Sequence, residues 1–166
     1  MGESDWVGAP VSVLAIDPGL SGAVCRMGQG RFDILRDFKT LPDIARAIAK
    51  LAPGVDHAVI EFVHAMPGQG VCSMFSFGRA AGVADGALAL SLPADRQVHQ
   101  VAPQKWQNMF RQWDGIPKGT AFDSRTLASK LFPSFSQTYF TRKKDHNSAD
   151  AALMAVWCLQ CSRGET

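Results

Sequence analysis

The fold is decided by Val11-Ser12-Val13-Leu14-Ala15-Ile16-Asp17-Pro18-Gly19, an apolar, β-branched run that ends in one carboxylate and a turn. A run of this kind predicts a buried strand. A carboxylate at the tip of such a strand is costly unless a cation or a metal ion pairs with it. Two more acidic residues have comparable settings: Glu61 follows Ala58-Val59-Ile60, and Asp150 heads the last apolar helix. Together the three predict a carboxylate cluster that binds Mg²⁺ or Mn²⁺.

The rest of the chain alternates between predicted strands and helices, as in an α/β domain. Tight turns join the first three strands, which predicts an antiparallel meander. A helix precedes the fourth strand, which predicts parallel pairing with an earlier strand. The predicted strands are Val11–Asp17, Ala23–Met27, Phe32–Phe38, His57–Phe62 and Gln97–Val101. The predicted helices are Leu41–Leu51, Ser73–Leu92, Pro103–Gln112, 123–131 and Ala149–Ser162, and Ser134–Lys144 is predicted to be irregular.

Length and composition limit the class of protein. The 166 residues, 46% of them hydrophobic, suit one packed domain at 11–166 behind a loose leader at 1–10. No run approaches the roughly 18 apolar residues of a membrane span, and the leader lacks the basic start of a secretory signal. The four cysteines do not form the two pairs of a zinc site. We therefore expect free thiols and a cytoplasmic protein.

Charge is unevenly distributed along the chain. Residues 96–144 contain nine Lys and Arg residues and only two Asp. Residues 1–95 contain seven Lys and Arg residues and ten Asp and Glu. A basic segment of this kind is typical of a polyanion-binding surface. A solubilising face on two helices explains it equally well, and charge alone leaves both interpretations open.

The sequence resembles the RuvC class of Holliday junction resolvases, within the RNase H-like fold, in three acidic motifs. These are Ile16-Asp17-Pro18-Gly19, Val59-Ile60-Glu61 and Ser148-Ala149-Asp150-Ala151-Ala152-Leu153. The resemblance continues through Met66-Pro67-Gly68-Gln69-Gly70, Phe77-Gly78-Arg79-Ala80-Ala81-Gly82, Val101-Ala102-Pro103-Gln104-Lys105-Trp106 and Leu131-Phe132-Pro133. It implies a five-stranded mixed sheet flanked by helices, in a homodimer that cuts four-way DNA junctions. Two Mg²⁺ ions per site, or Mn²⁺ in their place, would support phosphodiester hydrolysis.

The resemblance also implies a fourth metal ligand, and here this sequence departs from the family. The family's fourth acidic ligand usually lies three or four residues before the last one, where this chain has Asn147 and His146. Asp145 lies one residue further back. We favour His146 and keep Asp145 as the alternative, while a surface histidine stays open as an interpretation. The predicted catalytic set is therefore Asp17, Glu61, His146 and Asp150.

The predicted DNA contacts include a second departure. The family often has a lysine after the tryptophan of its fourth motif, but this chain has Gln107, so Lys105 or Lys118 would take that role. The full predicted set is Arg79, Lys105, Gln107, Lys118, Arg125, Arg142, Lys143 and Lys144. The segment from Met66 to Gly82 looks like the family's junction-reading and dimer region. Its Met74, Phe75 and Phe77 are candidates for a wedge against a base, with core packing as the alternative.

Three other functions compete with junction resolution. One is a nuclease of the same fold that acts on flaps or forks. Another is a junction-binding protein whose weak fourth ligand prevents cleavage. The third follows from Asp17-Pro18-Gly19-Leu20-Ser21-Gly22, which also looks like the phosphate hairpin of actin-like ATPases and sugar kinases. Those proteins need two such domains, so we expect no nucleotide cofactor. Because no run of residues is long and apolar enough to span a membrane, we also expect no membrane partner.

Overall fold

The sheet is built around β1 (Val13–Asp17), whose residues from Val13 to Ile16 are completely buried. The computed structural model describes residues 2–62, 70–117 and 119–164. The other strands are β2 (Ala23–Gly28), β3 (Arg31–Arg36), β4 (His57–Glu61) and β5 (Gln97–Val101). A central strand that is buried on both faces reads as a continuous apolar run, which is why β1 lacks a polar alternation.

The strand order β3-β2-β1-β4-β5 confirms the predicted mixed sheet. β1 pairs with β2, and β2 with β3, in antiparallel fashion. β4 lies parallel to β1 on the other side, and β5 lies parallel to β4. The carboxyl ends of β1, β4 and β5 therefore meet at one edge of the sheet, where the candidate site lies.

Helices cover both faces of the sheet. One face packs on α2 (Leu41–Leu51) and α3 (Val71–Ser91), around Leu14 and Ile16. The other face packs on α7 (His146–Ser162), around Val13 and Ala15. This second layer is completed by α1 (Glu3–Val7), α4 (Pro103–Trp113), α5 (Ser124–Leu131) and α6 (Pro133–Tyr139). No helix in the described part of the chain is long and apolar enough to cross a membrane.

The segment Ser134–Lys144, predicted to be irregular, is largely helical, so that prediction is wrong. It contains α6 and a 3₁₀ turn at Lys143–Asp145. Pro133 occupies the first turn of α6, where its missing N–H costs nothing. Phe135 lies over Phe32 of β3, with ring centroids 4.5 Å apart. Tertiary packing against β3 therefore stabilises a helix whose own sequence is a weak helix former.

The first residues also differ from the expected loose leader. Residues Glu3–Val7 form α1, and the Trp6 side chain is fully buried. Its ring stacks on Trp113 at 5.9 Å, and the guanidinium of Arg163 lies 5.2 Å from its centre. Sequence patterning missed this contact because α1 is only five residues long and its partners lie more than a hundred residues away.

We expect the change Trp6→Phe to destabilise the protein by about 1–2 kcal/mol, since the smaller ring leaves part of its site unfilled. Urea unfolding at neutral pH measures the loss. Trp113→Phe, which changes the half-exposed partner, should cost less. An unchanged free energy of unfolding for Trp6→Phe would contradict a structural role for α1.

Candidate active site at the carboxyl ends of β1 and β4

Asp17 and Glu61 are neighbours because β1 and β4 lie in parallel register. Ile16 pairs with Ile60, which places the next residues, Asp17 and Glu61, side by side at the ends of their strands. Alternate residues of a strand point to the same face. Val13 and Ala15 face α7, so the Asp17 side chain faces α7 as well, and Glu61 follows Val59 to that same face.

The turn after Asp17 is held tightly in place. A Cβ atom on Gly22 would lie 2.0 Å from the Asp17 carbonyl oxygen, so only glycine fits there. The Asn147 side-chain amide donates a hydrogen bond of 2.6 Å to the Ser21 carbonyl. This bond joins the first turn of α7 to the β1–β2 turn, and thereby brings α7 against the end of β1.

Asp150 reaches the site from α7. It lies in the first turns of the helix, four residues after His146, so both side chains lie on one helix face. The buried Ser124 hydroxyl at the start of α5 donates a hydrogen bond to the Asp150 carboxylate. The three predicted acidic residues, which come from three distant parts of the sequence, thus meet where β1, β4 and α7 converge.

Burial raises the pKa of all three acidic groups, and repulsion from a neighbouring carboxylate adds to the shift in two of them. The pKa of Asp17 lies well above its usual value, first because of burial and then because Glu61 and Asp150 repel its charge. Burial also raises the pKa of Glu61, and Asp150 adds to that shift. The pKa of Asp150 rises to about 6 through burial, although Ser124 and His146 act in the opposite direction. Burial and like-charged neighbours are the ordinary causes of a raised carboxylate pKa.

Trp106 of α4 orients Glu61. Its indole N–H donates a hydrogen bond of 3.2 Å to Glu61 Oε1. This bond lowers the Glu61 pKa and so partly offsets the effect of burial. Trp106 is completely buried, and its bond to Glu61 was not predicted from the sequence. A tryptophan in the helix after β5 is the sequence signal that points to such a contact.

We expect Trp106→Phe to keep the core packing but remove this hydrogen bond. Glu61 then loses its fixed orientation, and its pKa rises further. Loss of such an outer partner typically weakens metal affinity or activity about 10–100-fold. A titration of DNA nicking against Mg²⁺ measures the shift in the half-maximal concentration. Trp113→Phe is the matched control, because Trp113 contacts Trp6 and Phe110 and lies away from the carboxylates.

The donor set fits a hard divalent cation. Carboxylate oxygens are the ligands that Mg²⁺ and Mn²⁺ prefer. Among the described residues, no lysine or arginine contributes to the shifted pKa values of Asp17, Glu61 and Asp150. Each of these residues keeps a partly exposed surface. Within the described ranges, no three His, Cys, Asp or Glu side chains are drawn together tightly enough to hold an ion as they stand.

His146 and Asp145, the two candidates for a fourth ligand, differ in availability. Asp145 is 1% exposed, and its carboxylate forms ion pairs with Arg142 at 2.7 Å and with Arg36 at 3.1 Å. His146 is exposed, and its charge lowers the pKa of Asp150. Asp145 is therefore engaged in the interior, whereas His146 faces the carboxylate group.

The basic residues predicted to bind DNA fall into separate groups. Arg125 donates a hydrogen bond of 3.1 Å to the Arg142 carbonyl, which gathers Arg125, Arg142, Lys143 and Lys144 near the start of α7. Lys105 lies over the Trp157 ring, about three turns further along α7. Arg79 lies on α3 beside the Phe75 ring, and Gln107 is half-buried on α4. Lys118 and residues 66–69 of the predicted junction loop lie outside the described residues.

The wedge candidates lie in the first turns of α3. Phe75 is 68% exposed and Phe77 37% exposed, whereas Met74 is half-buried. The Phe77 ring lies against Gly19 of the β1–β2 turn, at 3.6 Å from a Cβ built on that glycine. Exposure at both phenylalanines departs from the core packing that helical spacing usually produces.

Comparisons with known proteins support the fold. No protein-family model matches the sequence, and no curated protein matches it. Among solved structures, it is similar to T. thermophilus RuvC in complex with Holliday junction substrate, with a TM-score of 0.60 at 11% identity, over 93% of this chain and 98% of that one. The yeast mitochondrial Holliday junction resolvase Ydc2 gives a TM-score of 0.55 at 11% identity, over 93% and 80%. These similarities confirm the predicted RNase H-like fold.

Proposed function

From the fold that it shares with RuvC and Ydc2, we propose that this protein is a metal-dependent endonuclease that resolves four-way DNA junctions. The observation that carries the proposal is that parallel register places Asp17 and Glu61 at the ends of adjacent strands, with Asp150 of α7 close enough to repel the charge of Asp17. A fold alone supports many activities. Three half-buried carboxylates that lie close together are costly for stability and are typical of a functional site.

Each residue of the candidate site has a distinct role in the proposed reaction. Asp17, Glu61 and Asp150 would hold the divalent ions, with Asp17 between the other two and His146 as the fourth ligand. Trp106 fixes the orientation of Glu61, and Ser124 that of Asp150. When bound, two divalent ions activate a water for attack and neutralise the charge that develops on the phosphate. Cleavage would leave a 5′-phosphate and a 3′-hydroxyl.

A homodimer follows from this reaction, because opposed strands of a junction need two active sites related by a two-fold axis. The outer face of α3 supports such a dimer. Val71, Phe75 and Leu90 are 78%, 68% and 90% exposed along one 21-residue helix. Between them, a Cβ on Gly78, Gly82 or Gly86 would meet nothing within 4 Å. A second copy of α3 can approach closely along such a face.

A nicking assay on an immobile four-way junction tests the proposal. The wild-type protein should cut opposed strands symmetrically with Mg²⁺ or Mn²⁺ and should cut nothing in EDTA. Flap and fork substrates, supplied in parallel, identify a nuclease with a different branched target. Junction binding without nicking in either metal would contradict the enzymatic proposal and leave a binding protein. ATP binding without DNA binding would favour the phosphate-hairpin alternative.

A further inference from the structure

A charged cleft of about 280 Å³ opens beside the β1–β2 turn, where β3 ends. Its charged lining residues are Arg36, Asp37, Lys39, Arg142, Lys144 and Asp145, and we call it the Asp37 cleft. Ser21 also lines it, and the same residue accepts the Asn147 hydrogen bond that joins α7 to the site turn. The cleft therefore adjoins the candidate active site.

The floor of the Asp37 cleft is rigid because Arg36 is bound on several sides. Its guanidinium donates hydrogen bonds to the carbonyls of Tyr139 at 2.6 Å and Thr138 at 2.7 Å. It also pairs with the buried Asp145 at 3.1 Å. These contacts connect the end of β3 to α6 and to the start of α7. Arg36 thus holds the cleft in shape rather than offering its charge to a ligand.

Asp37 places an exposed carboxylate at the centre of the cleft. The Asp37 carboxylate accepts a hydrogen bond of 2.5 Å from Lys144 Nζ, and it lies 2.9 Å from Arg142 Nη1. These two partners lower its pKa to about 2. Its backbone has a φ of 62°, in the left-handed region that non-glycine residues seldom occupy. Residues held in such conformations cluster at ligand-binding positions.

The cleft's four cationic side chains outnumber its two described carboxylates, Asp37 and Asp145. Arg142 Nη2 is buried and, within the described residues, makes no hydrogen bond of good geometry, although it lies 2.7 Å from Asp145 Oδ1. Lys39 is exposed, and its side chain forms no ion pair in the part of the chain that the structure describes. An arginine and a lysine that converge on one carboxylate, as Arg142 and Lys144 do on Asp37, have the arrangement that also recognises phosphate.

We propose that the Asp37 cleft is a subsite for a backbone phosphate of the bound DNA, and that Asp37 occupies it while DNA is absent. The inference rests on the proposed function. When DNA binds, its phosphate would displace the Asp37 carboxylate. Arg142 and Lys144 would then pair with the phosphate, with Lys39 beside them. Because two ion pairs are given up for this exchange, Asp37 weakens the binding of any DNA that occupies the cleft.

Asp37→Asn tests the subsite, since asparagine tolerates the left-handed backbone and removes the competing charge. Binding to a four-way junction is measured in EDTA, so that no cleavage occurs. We expect roughly threefold to tenfold tighter binding. We also expect the plot of log affinity against log salt to steepen by about one unit. Asp33→Asn is the matched control, because Asp33 is a half-exposed acid on β3, the strand that ends just before Asp37, and pairs with Arg31 outside the cleft.

Further variants keep the inference falsifiable. Lys144→Gln should weaken binding and remove the gain of Asp37→Asn when the two changes are combined. Lys50→Gln, on the exposed side of α2, should leave binding unchanged. If Asp37→Asn and Asp33→Asn change the DNA-binding affinity equally, the effect is due to the net charge of the protein, and the subsite is overturned. If the wild-type protein binds no DNA, the proposed function fails; if it binds and Asp37→Asn changes nothing, only the subsite fails.

Discussion

Asp17→Asn should reduce junction nicking at least ~1,000-fold, which corresponds to about 4 kcal/mol of transition-state stabilisation. Asparagine has nearly the same shape, so it preserves β1 and the turn that Gly22 closes against it. It removes the Asp17 charge and so removes one of the proposed ligands for a cation. Initial rates of nicking on a four-way junction, with Mg²⁺ and separately with Mn²⁺, measure the loss.

Junction binding by Asp17→Asn should stay within about threefold of the wild type, because the basic residues supply the affinity for phosphates. Asp95→Asn, at an exposed loop position between α3 and β5, is the matched control and should nick normally. Full nicking activity in Asp17→Asn would contradict the assignment of the site. Loss of binding together with nicking would indicate a disturbed fold, which circular dichroism of the same sample would detect.

Asp150→Asn should stabilise the metal-free protein at neutral pH by about 1–3 kcal/mol. The pKa of Asp150 is about 6 in the folded protein, against an ordinary value of 3.8 for an exposed aspartate. At a pH between these two pKa values, the Asp150 carboxyl group is protonated in the folded state and ionised in the unfolded state. The contribution of Asp150 to stability therefore falls as pH rises from about 4 to 6. Asparagine removes this penalty and can still accept the hydrogen bond from Ser124.

Urea unfolding in EDTA at several pH values checks this prediction. The difference between Asp150→Asn and the wild type should be largest above pH 6 and should shrink towards pH 4. Addition of Mg²⁺ at pH 7.5 should stabilise the wild type, since a ligand of the folded state raises its stability, and should stabilise Asp150→Asn less. Asp95→Asn should follow the wild type throughout. A wild-type protein more stable than Asp150→Asn in EDTA at pH 7.5 would contradict the coupled cluster.

The strands that carry the site were predictable because their signals are local. β1 is a buried apolar run with a carboxylate at its end, and β5 was predicted at its observed bounds, Gln97–Val101. α2 begins after Thr40, as predicted, where Asp43 accepts hydrogen bonds from the backbone N–H groups of Thr40 and Lys39. The hydrophobic period of a helix or strand and the capping of a helix depend on residues four or fewer positions apart. A single sequence is therefore sufficient to reveal them.

The errors occur where distant partners decide the structure. α6 and α1 are short helices of weak sequence signal, stabilised by Phe32 and by Trp113 respectively. The exposure of Phe75 follows from the position of α3 on the sheet, which helical periodicity does not determine. In each case the deciding contact lies far along the chain from the residue that it affects.

The sequence by itself determined which carboxylates terminate β1 and β4 and which one begins α7, because strand ends and helix starts leave local marks. Only the tertiary structure decided that Trp106 orients Glu61, that arginines engage Asp145, and that Asp37 fills a cationic cleft. These pairings depend on directional contacts between side chains. Their free energy depends on burial and on separation in space, and neither quantity is set by spacing along the chain.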